Sequence, residues 1–254
     1  MALNEKFFNS STGGCAVEAD QNQLVFHIDA ADSNSFNAAG AGTWQDLSGN
    51  GKHFNHIRLD ENAEGSVSFN VFSNPGYVYN YNMQSSFGTG SGNYNWSLVM
   101  WVNTDTVGAS FSTLYEQAGF TDGSNNGFSV HRSGSSLQVE GKANESTARR
   151  LVDVAGAFTA NTWVHIVVQR TNTVWEAYVD GVLQTNTGSY KSNSTYLTDD
   201  LGGNDATDSN TIIGRQYQAN THAWLGKMSD IKLYNIALSQ CEVDYEFNIK
   251  QFDT

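Results

Sequence analysis

The sequence predicts an all-β chain folded as a two-sheet antiparallel β-sandwich, with a short N-terminal arm and a short C-terminal helix. Three observations predict it. Glycine fills 24 of 254 positions, and Asn, Ser and Thr are frequent along the whole length, which is the turn chemistry that a sandwich of many short strands needs. Short apolar runs recur between those turns, several alternating with the period of two expected of strands. The stretch Asn161–Gln184, NTWVHIVVQRTNTVWEAYVDGVLQ, reads as a three-stranded meander. Its Asp180-Gly181 between β-prone runs signals a tight hairpin whose central residues take positive φ.

Taken in order, residues 1–20 form the arm, small and polar apart from Phe7 and Phe8. An aromatic pair in such a segment suits anchoring on a partner, so Phe7 and Phe8 are the partner-binding candidates. Residues 21–254 form one domain, because no shift in composition marks a linker. Gln23–Asp29 is the first strand, followed by a polar loop, Ala30–Gly42, and by TWQDLSGN at Thr43–Asn50. There Asp46 or Ser48 can bond neighbouring amides, Gly49 and Gly51 supply positive φ, and Trp44 plugs the sheet edge. Ser66–Phe72 and Gly76–Tyr81 read as a strand pair around the turn Asn74-Pro75-Gly76. Phe111–Gln117, Gly127–Arg132, Ser135–Glu140 and Leu151–Val154 are further strands, with FSVHRSGSSLQVEG a hairpin.

In the meander, Trp163 and Val167 fall on one face of the first strand and Val164, Ile166 and Val168 on the other. That strand should be central and covered on both faces. In the second strand Trp175, Ala177 and Val179 oppose Glu176, Tyr178 and Asp180. Trp101, Trp163, Val167, Trp175 and Ile231 are expected between the two sheets. Tyr190–Ser209 is a long polar loop, and Ser239 with Glu242 three residues on forms a capping box that opens a helix.

Composition excludes several functions. Lys and Arg number 13 against 26 Asp and Glu, a net charge of −13, which repels phosphate backbones and argues against nucleic acid. No basic amphipathic helix and no apolar run of spanning length point to a membrane. The segment MALNEKFFNSSTGGCAVEAD lacks the apolar core of a signal peptide, so synthesis in a cytoplasm without general secretory export is expected. Cys15 and Cys241 either join the arm to the C-terminal region or remain two free thiols; so sparse a set favours free thiols. Oligomeric state is not legible, and a homo-oligomer stays open.

Three groups of residues carry candidate chemistry. Tyr77, Tyr79 and Tyr81 share one strand face; such a stripe is a half-buried sheet face or a sugar-stacking platform, because each ring offers an apolar face and a polar tip. Trp224 is the further sugar candidate. Asp199, Asp200, Asp205 and Asp208 crowd one loop, where hard oxygen ligands would suit Ca²⁺, although their spacing fits no EF-hand. His165, mid-strand, reads as a buried, hydrogen-bonded core histidine and not a catalyst.

The motifs resemble a known family. NTWVHIVVQR…AYVDGVLQ resembles the W-x-H…Y-V-D-G segment of laminin-G-like modules, the concanavalin A-like lectin/glucanase superfold. NWSLVMWVNTD at Asn95–Asp105 is similar to that family's strand ending in a buried Trp. TIIGR at Thr211–Arg215 and WLGKMSDIKLYNIALS at Trp224–Ser239 are similar to its last strands. The resemblance implies a jelly roll, and a structural role for Asp230 in bonding loop amides. Glu242–Phe247, EVDYEF, resembles the catalytic strand of β-glucanases, whose two carboxylates would be nucleophile and acid/base. The capping box instead places it on a helix, with Glu242 and Glu246 a solvated pair.

LVFHIDAADSNSF…TWQDLSGNGKHF resembles the opening of laminin-G-like proteins in tailed-phage structural genes, especially marine ones. It implies a non-enzymatic virion structural protein, a capsid decoration or a fibre or tail component, located in the virion and bound to other virion proteins through the arm. The alternative is a carbohydrate-binding adhesin module recognising cell-surface host glycans; a β-glucanase-type glycoside hydrolase comes third. The superfold hosts all of these, so fold does not decide among them.

Overall fold

The computed structural model describes residues 16–36, 42–69, 75–81, 83, 95–108, 111–117, 127–142, 148–172, 174–189, 211–216, 222–250 and 252. They form two antiparallel sheets of eight strands each and one α-helix. The first sheet runs β14 (Val182–Leu183), β13 (Val174–Val179), β12 (Trp163–Thr171), β7 (Trp96–Thr104), β16 (Gly226–Tyr234), β5 (Ser66–Ser68), β4 (Asp60–Asn62), with β1 (Leu24–Asp29) also paired to β16. The second runs β11 (Arg149–Val154), β10 (Ser136–Lys142), β9 (Gly127–Ser133), β8 (Phe111–Gln117), β15 (Thr211–Ile213), β6 (Tyr77–Asn80), β3 (Phe54–Ile57), β2 (Thr43–Trp44). Helix α1, Gln240–Ile249, follows β16.

The meander forms as expected. Asp180 and Gly181 take φ of 49° and 77°, the left-handed pair of a type I′ turn, and return β13 onto β14. Ser133 pairs with Ser136, so Gly134-Ser135 is the two-residue turn between β9 and β10. Gly226 admits no side chain, because a Cβ there would lie 2.0 Å from the Asn103 carbonyl oxygen. Asp46 accepts bonds from the amides of His27, Ser48 and Lys52 and so ties the Trp44–Gly51 segment to β1, with Trp44 fully buried beside Phe36.

The core between the sheets takes one parity from each strand. Leu98, Met100, Val164, Ile166, Trp175 and Ile231 from the first sheet meet Phe128, Val130 and Val139 of the second. The first sheet's other face is also buried. Val99, Val167, Tyr178 and Tyr234 pack under Leu238 and Val243, while Trp101 stacks on Phe247 and Trp163 on Phe252. β12 is therefore central and covered on both faces.

Several expectations need correction. Trp101, Trp163 and Val167 are buried, but under α1 and Phe252 and not between the sheets, because alternation assigns residues to two faces without saying what covers each. Ser66–Ser68 and Tyr77–Asn80 do not pair; β5 joins β16 and β6 joins β3 and β15, so the connection crosses from one sheet to the other. β3 and β4 form without a strand signal in the sequence, since HFNHIRLDEN has little alternation.

Cys241 is disulfide-bonded, against the expectation of free thiols; the chain's one other cysteine, Cys15, lies outside the described residues. The end of the arm packs on its own domain. Val17 donates its amide to the Cys241 carbonyl at 3.1 Å, and Ala19 is buried with Val243 and Leu238. Phe7 and Phe8 lie outside the described residues. Among the described residues, no helix is long and apolar enough to cross a membrane.

Candidate functional site

The candidate glycanase motif is helical. Ser239 caps α1 with the reciprocal Glu242 bond of a capping box. Glu246 is not solvated as expected. It is buried, accepts from Lys232 Nζ at 2.6 Å and from the Tyr234 hydroxyl at 2.6 Å, and pins α1 to β16. The 14-residue separation between Lys232 and Glu246 hides this contact from a local reading.

The same network holds Asp230, which bonds His27 Nε2 at 2.8 Å and lies 3.3 Å from Lys232 Nζ. Among the described residues its side-chain partners are His27 and Lys232, and not the loop amides expected of it. Burial alone would raise its pKa, but the Lys232 charge and the His27 hydrogen bond together hold it well below the usual carboxylate range. Lys232 is pulled down by burial and pushed further up by Asp230 and Glu246. His27, Asp29 and Asp230 converge closely enough to hold a cation, yet Lys250 reaches Asp29 and Lys232 reaches Asp230. The protein's own ammonium groups supply positive charge there. Asp199, Asp200, Asp205 and Asp208 lie outside the described residues.

His165 is fully buried beside Trp101 and Phe247. Neither ring nitrogen has a hydrogen-bond partner among the described residues, so the expected bonded core histidine is instead an unbonded one. Burial pushes its pKa down to about 3.

The tyrosine stripe is realised. Val78 and Asn80 point inward, so Tyr77, Tyr79 and Tyr81 stand on the outer face of the second sheet, the first two half-buried and Tyr81 49% exposed. Their ring centroids are 5.7 and 4.7 Å apart in sequence. The Arg215 guanidinium carbon sits 3.5 Å from the Tyr77 centroid, a stacked cation–π contact that fixes that ring. Asn55, exposed on β3, pairs with Tyr79. Apolar faces, phenolic hydroxyls and an amide side chain thus share one partly exposed face, the composition that stacks a sugar ring and bonds its hydroxyls. Trp224 does not contribute: it is fully buried, near Phe158.

Further along that face, across β15, lie side chains that sequence reading did not single out. The register places Thr113 opposite His131, and His131 opposite Gln138. Ser129 stands opposite Glu116 and Glu140. Thr113, Ser129 and His131 are fully buried. Burial pushes the His131 pKa down to about 3, with the Arg150 charge acting the same way. Arg150 itself is paired with Glu140 at 2.6 Å and Asp153 at 3.1 Å. These residues sit on four strands far apart in sequence, and only the pairing register brings them together.

Comparison with known proteins supports the fold. Residues 76–244 match the family model described as the concanavalin A-like lectin/glucanases superfamily. No curated protein sequence matches the chain. Among solved structures, the binding domain of botulinum neurotoxin DC, in complex with rat synaptotagmin II, is similar at TM-score 0.65 and 12% identity, over 92% of this chain and 53% of that one. Botulinum neurotoxin type C, whose cell entry depends on two ganglioside molecules, is similar at TM-score 0.64 and 13% identity, over 91% and 52%. Trypanosoma rangeli sialidase, in complex with 2,3-difluorosialic acid, is similar at TM-score 0.63 and 16% identity, over 93% and 34%. At these identities the likeness is one of fold, and the chain spans about half the length of the toxin structures and a third of the sialidase.

Proposed function

The chain belongs to the concanavalin A-like lectin/glucanases superfamily, and from that premise we infer that it is a glycan-binding module without hydrolytic activity. The observation that carries this reading is the Tyr77–Tyr79–Tyr81 stripe, partly exposed on the outer face of the second sheet and braced by Arg215. Two of the similar folds engage sugars, gangliosides in one and a fluorosialic acid in the other, which makes the class a natural one for this scaffold. The absence of hydrolysis is supported by Glu242 and Glu246. A retaining or inverting pair must face one scissile bond, whereas Glu242 caps a helix and Glu246 is buried against Lys232.

The test is binding of the whole chain to a panel of lactose, cellotetraose, mannotriose, chitotriose and sialyllactose, followed by Tyr79→Ala. Loss of a stacking aromatic should weaken binding by about tenfold or more. An intact affinity in Tyr79→Ala would remove the stripe from the site.

A second reading places this module on a virion, as a capsid decoration or a fibre or tail component. It is favoured by the opening segment, whose phage-like residues fold as one hydrogen-bonded unit around Asp46. Copy number of the chain in purified particles tests it; absence from particles removes it.

A further inference from the structure

Cys241 is disulfide-bonded, and the chain has one other cysteine, Cys15. The residues that follow Cys15 lie against the helix that carries Cys241. The Val17 amide donates to the Cys241 carbonyl at 3.1 Å, and Ala19 is buried with Leu238 and Val243. The Glu18 charge acts on Tyr245 of the same helix, whose pKa is pushed up by burial and by that carboxylate. Residues 16–19 thus run along α1.

Their non-covalent ties to α1 are slight. Among the described residues they are one backbone hydrogen bond, one buried methyl group and one carboxylate beside a phenol. The elements on either side are held independently. Glu246 fastens α1 to Lys232 and Tyr234, and Gln240 bonds the Gly181 carbonyl. The Gln23 carbonyl accepts from the Asn235 amide, and β1 pairs with β16 from Leu24 onward. Opening the disulfide therefore loosens residues 16–19 and leaves α1 and β1 in place. Cys241 is also suited to reduction. It is half-buried and is the second residue of α1, where the positive end of the helix favours a thiolate. A sulfur that leaves as a stabilised thiolate makes its bridge easier to reduce.

We propose that Cys15 and Cys241 form a redox clip, which holds residues 16–19 on α1 when oxidised and frees them, up to Asp20, when a dithiol reduces it. One thiolate of the dithiol attacks the Cys15 sulfur and displaces the Cys241 thiolate. The second thiol then displaces Cys15, so the dithiol becomes a disulfide and its two protons pass to the two cysteines. The clip sets the reach of the aromatic pair Phe7-Phe8. Phe8 is seven residues from Cys15 and twelve from Asp20, at most about 25 Å and about 43 Å of extended chain. A partner bound through that pair is held close where disulfides persist and on a longer tether where thiols are kept reduced.

The experiment uses the full chain purified without reductant. Denaturing alkylation with iodoacetamide, followed by intact mass, should add no carbamidomethyl group before dithiothreitol and two after it. A glutamyl endopeptidase then reports the hold on residues 16–19, because cutting after Glu18 requires that segment to leave α1. Cleavage there, followed by mass spectrometry, should run about tenfold or more faster in the reduced protein, with near-ultraviolet circular dichroism unchanged. Cys241→Ser should give the fast rate with or without dithiothreitol. Two alkylated thiols before reduction, or a disulfide-linked pair of chains on non-reducing electrophoresis, would overturn the proposal. Equal cleavage rates in the two redox states would do so as well, since the bridge would then hold nothing. Loss of the near-ultraviolet signal on reduction would make the bridge a staple of the whole fold and not a clip on one segment.

Discussion

The buried histidines make the fold acid-sensitive in a defined window. His131 and His165 are fully buried, and burial pushes each pKa to about 3. In the unfolded chain each takes its proton near pH 6.5. Below that value the unfolded state binds more protons than the folded one, so stability must fall as pH falls, and continue to fall towards pH 3. Each excess proton contributes about 1.4 kcal/mol per pH unit, so the pair gives a slope of roughly 2–3 kcal/mol per unit. His56, also shifted down by burial, acts in the same direction. Carboxylates take up protons lower, near pH 4, so the interval from about pH 6 to 5 isolates the histidines.

The assay is urea unfolding followed by tryptophan fluorescence across that interval, for the wild type and His165→Leu. Leucine suits the apolar cage of Trp101 and Phe247, and the variant should lose about 1.4 kcal/mol per pH unit of slope. An identical slope in the two proteins would refute a neutral, buried His165.

Two further predictions concern the cover of the first sheet. Lys232→Met strands Asp230 and Glu246 without their shared cation and should cost about 3–5 kcal/mol in urea unfolding, whereas Lys232→Met with Glu246→Leu should recover part of it; equal losses would show that the pair is not coupled. Trp163→Ala should cost roughly 3–5 kcal/mol, and Phe252→Ala, which removes the ring stacked at 4.0 Å on Trp163, should make Trp163 more quenchable by acrylamide; unchanged quenching would remove Phe252 from that face.

What the sequence discloses here follows the range of each signal. The Asp180-Gly181 turn, the two-faced β12 and the Ser239 cap are set by residues within a few positions of one another, and all three form as read. Contacts that depend on distant pairing do not announce themselves. Trp101 and Trp163 look like core residues and are, but of a second core that exists only once α1 folds back. Glu246 looks solvated until Lys232 is placed beneath it. The stripe of Tyr77, Tyr79 and Tyr81 is visible because it lies on one strand, whereas Thr113, Ser129 and His131 become a patch only through the register of β8 with β9.

The helix that closes the first sheet also gives the molecule a direction. Residues 16–20 leave the sandwich alongside α1, where Val17 bonds Cys241, while the tyrosine stripe lies on the opposite sheet, facing away. Val17 and the tyrosine stripe therefore lie on opposite sides of the sandwich. If the stripe binds glycan as proposed, a partner docked on the α1 side leaves it unobstructed, and several copies held that way would compound weak single-site binding.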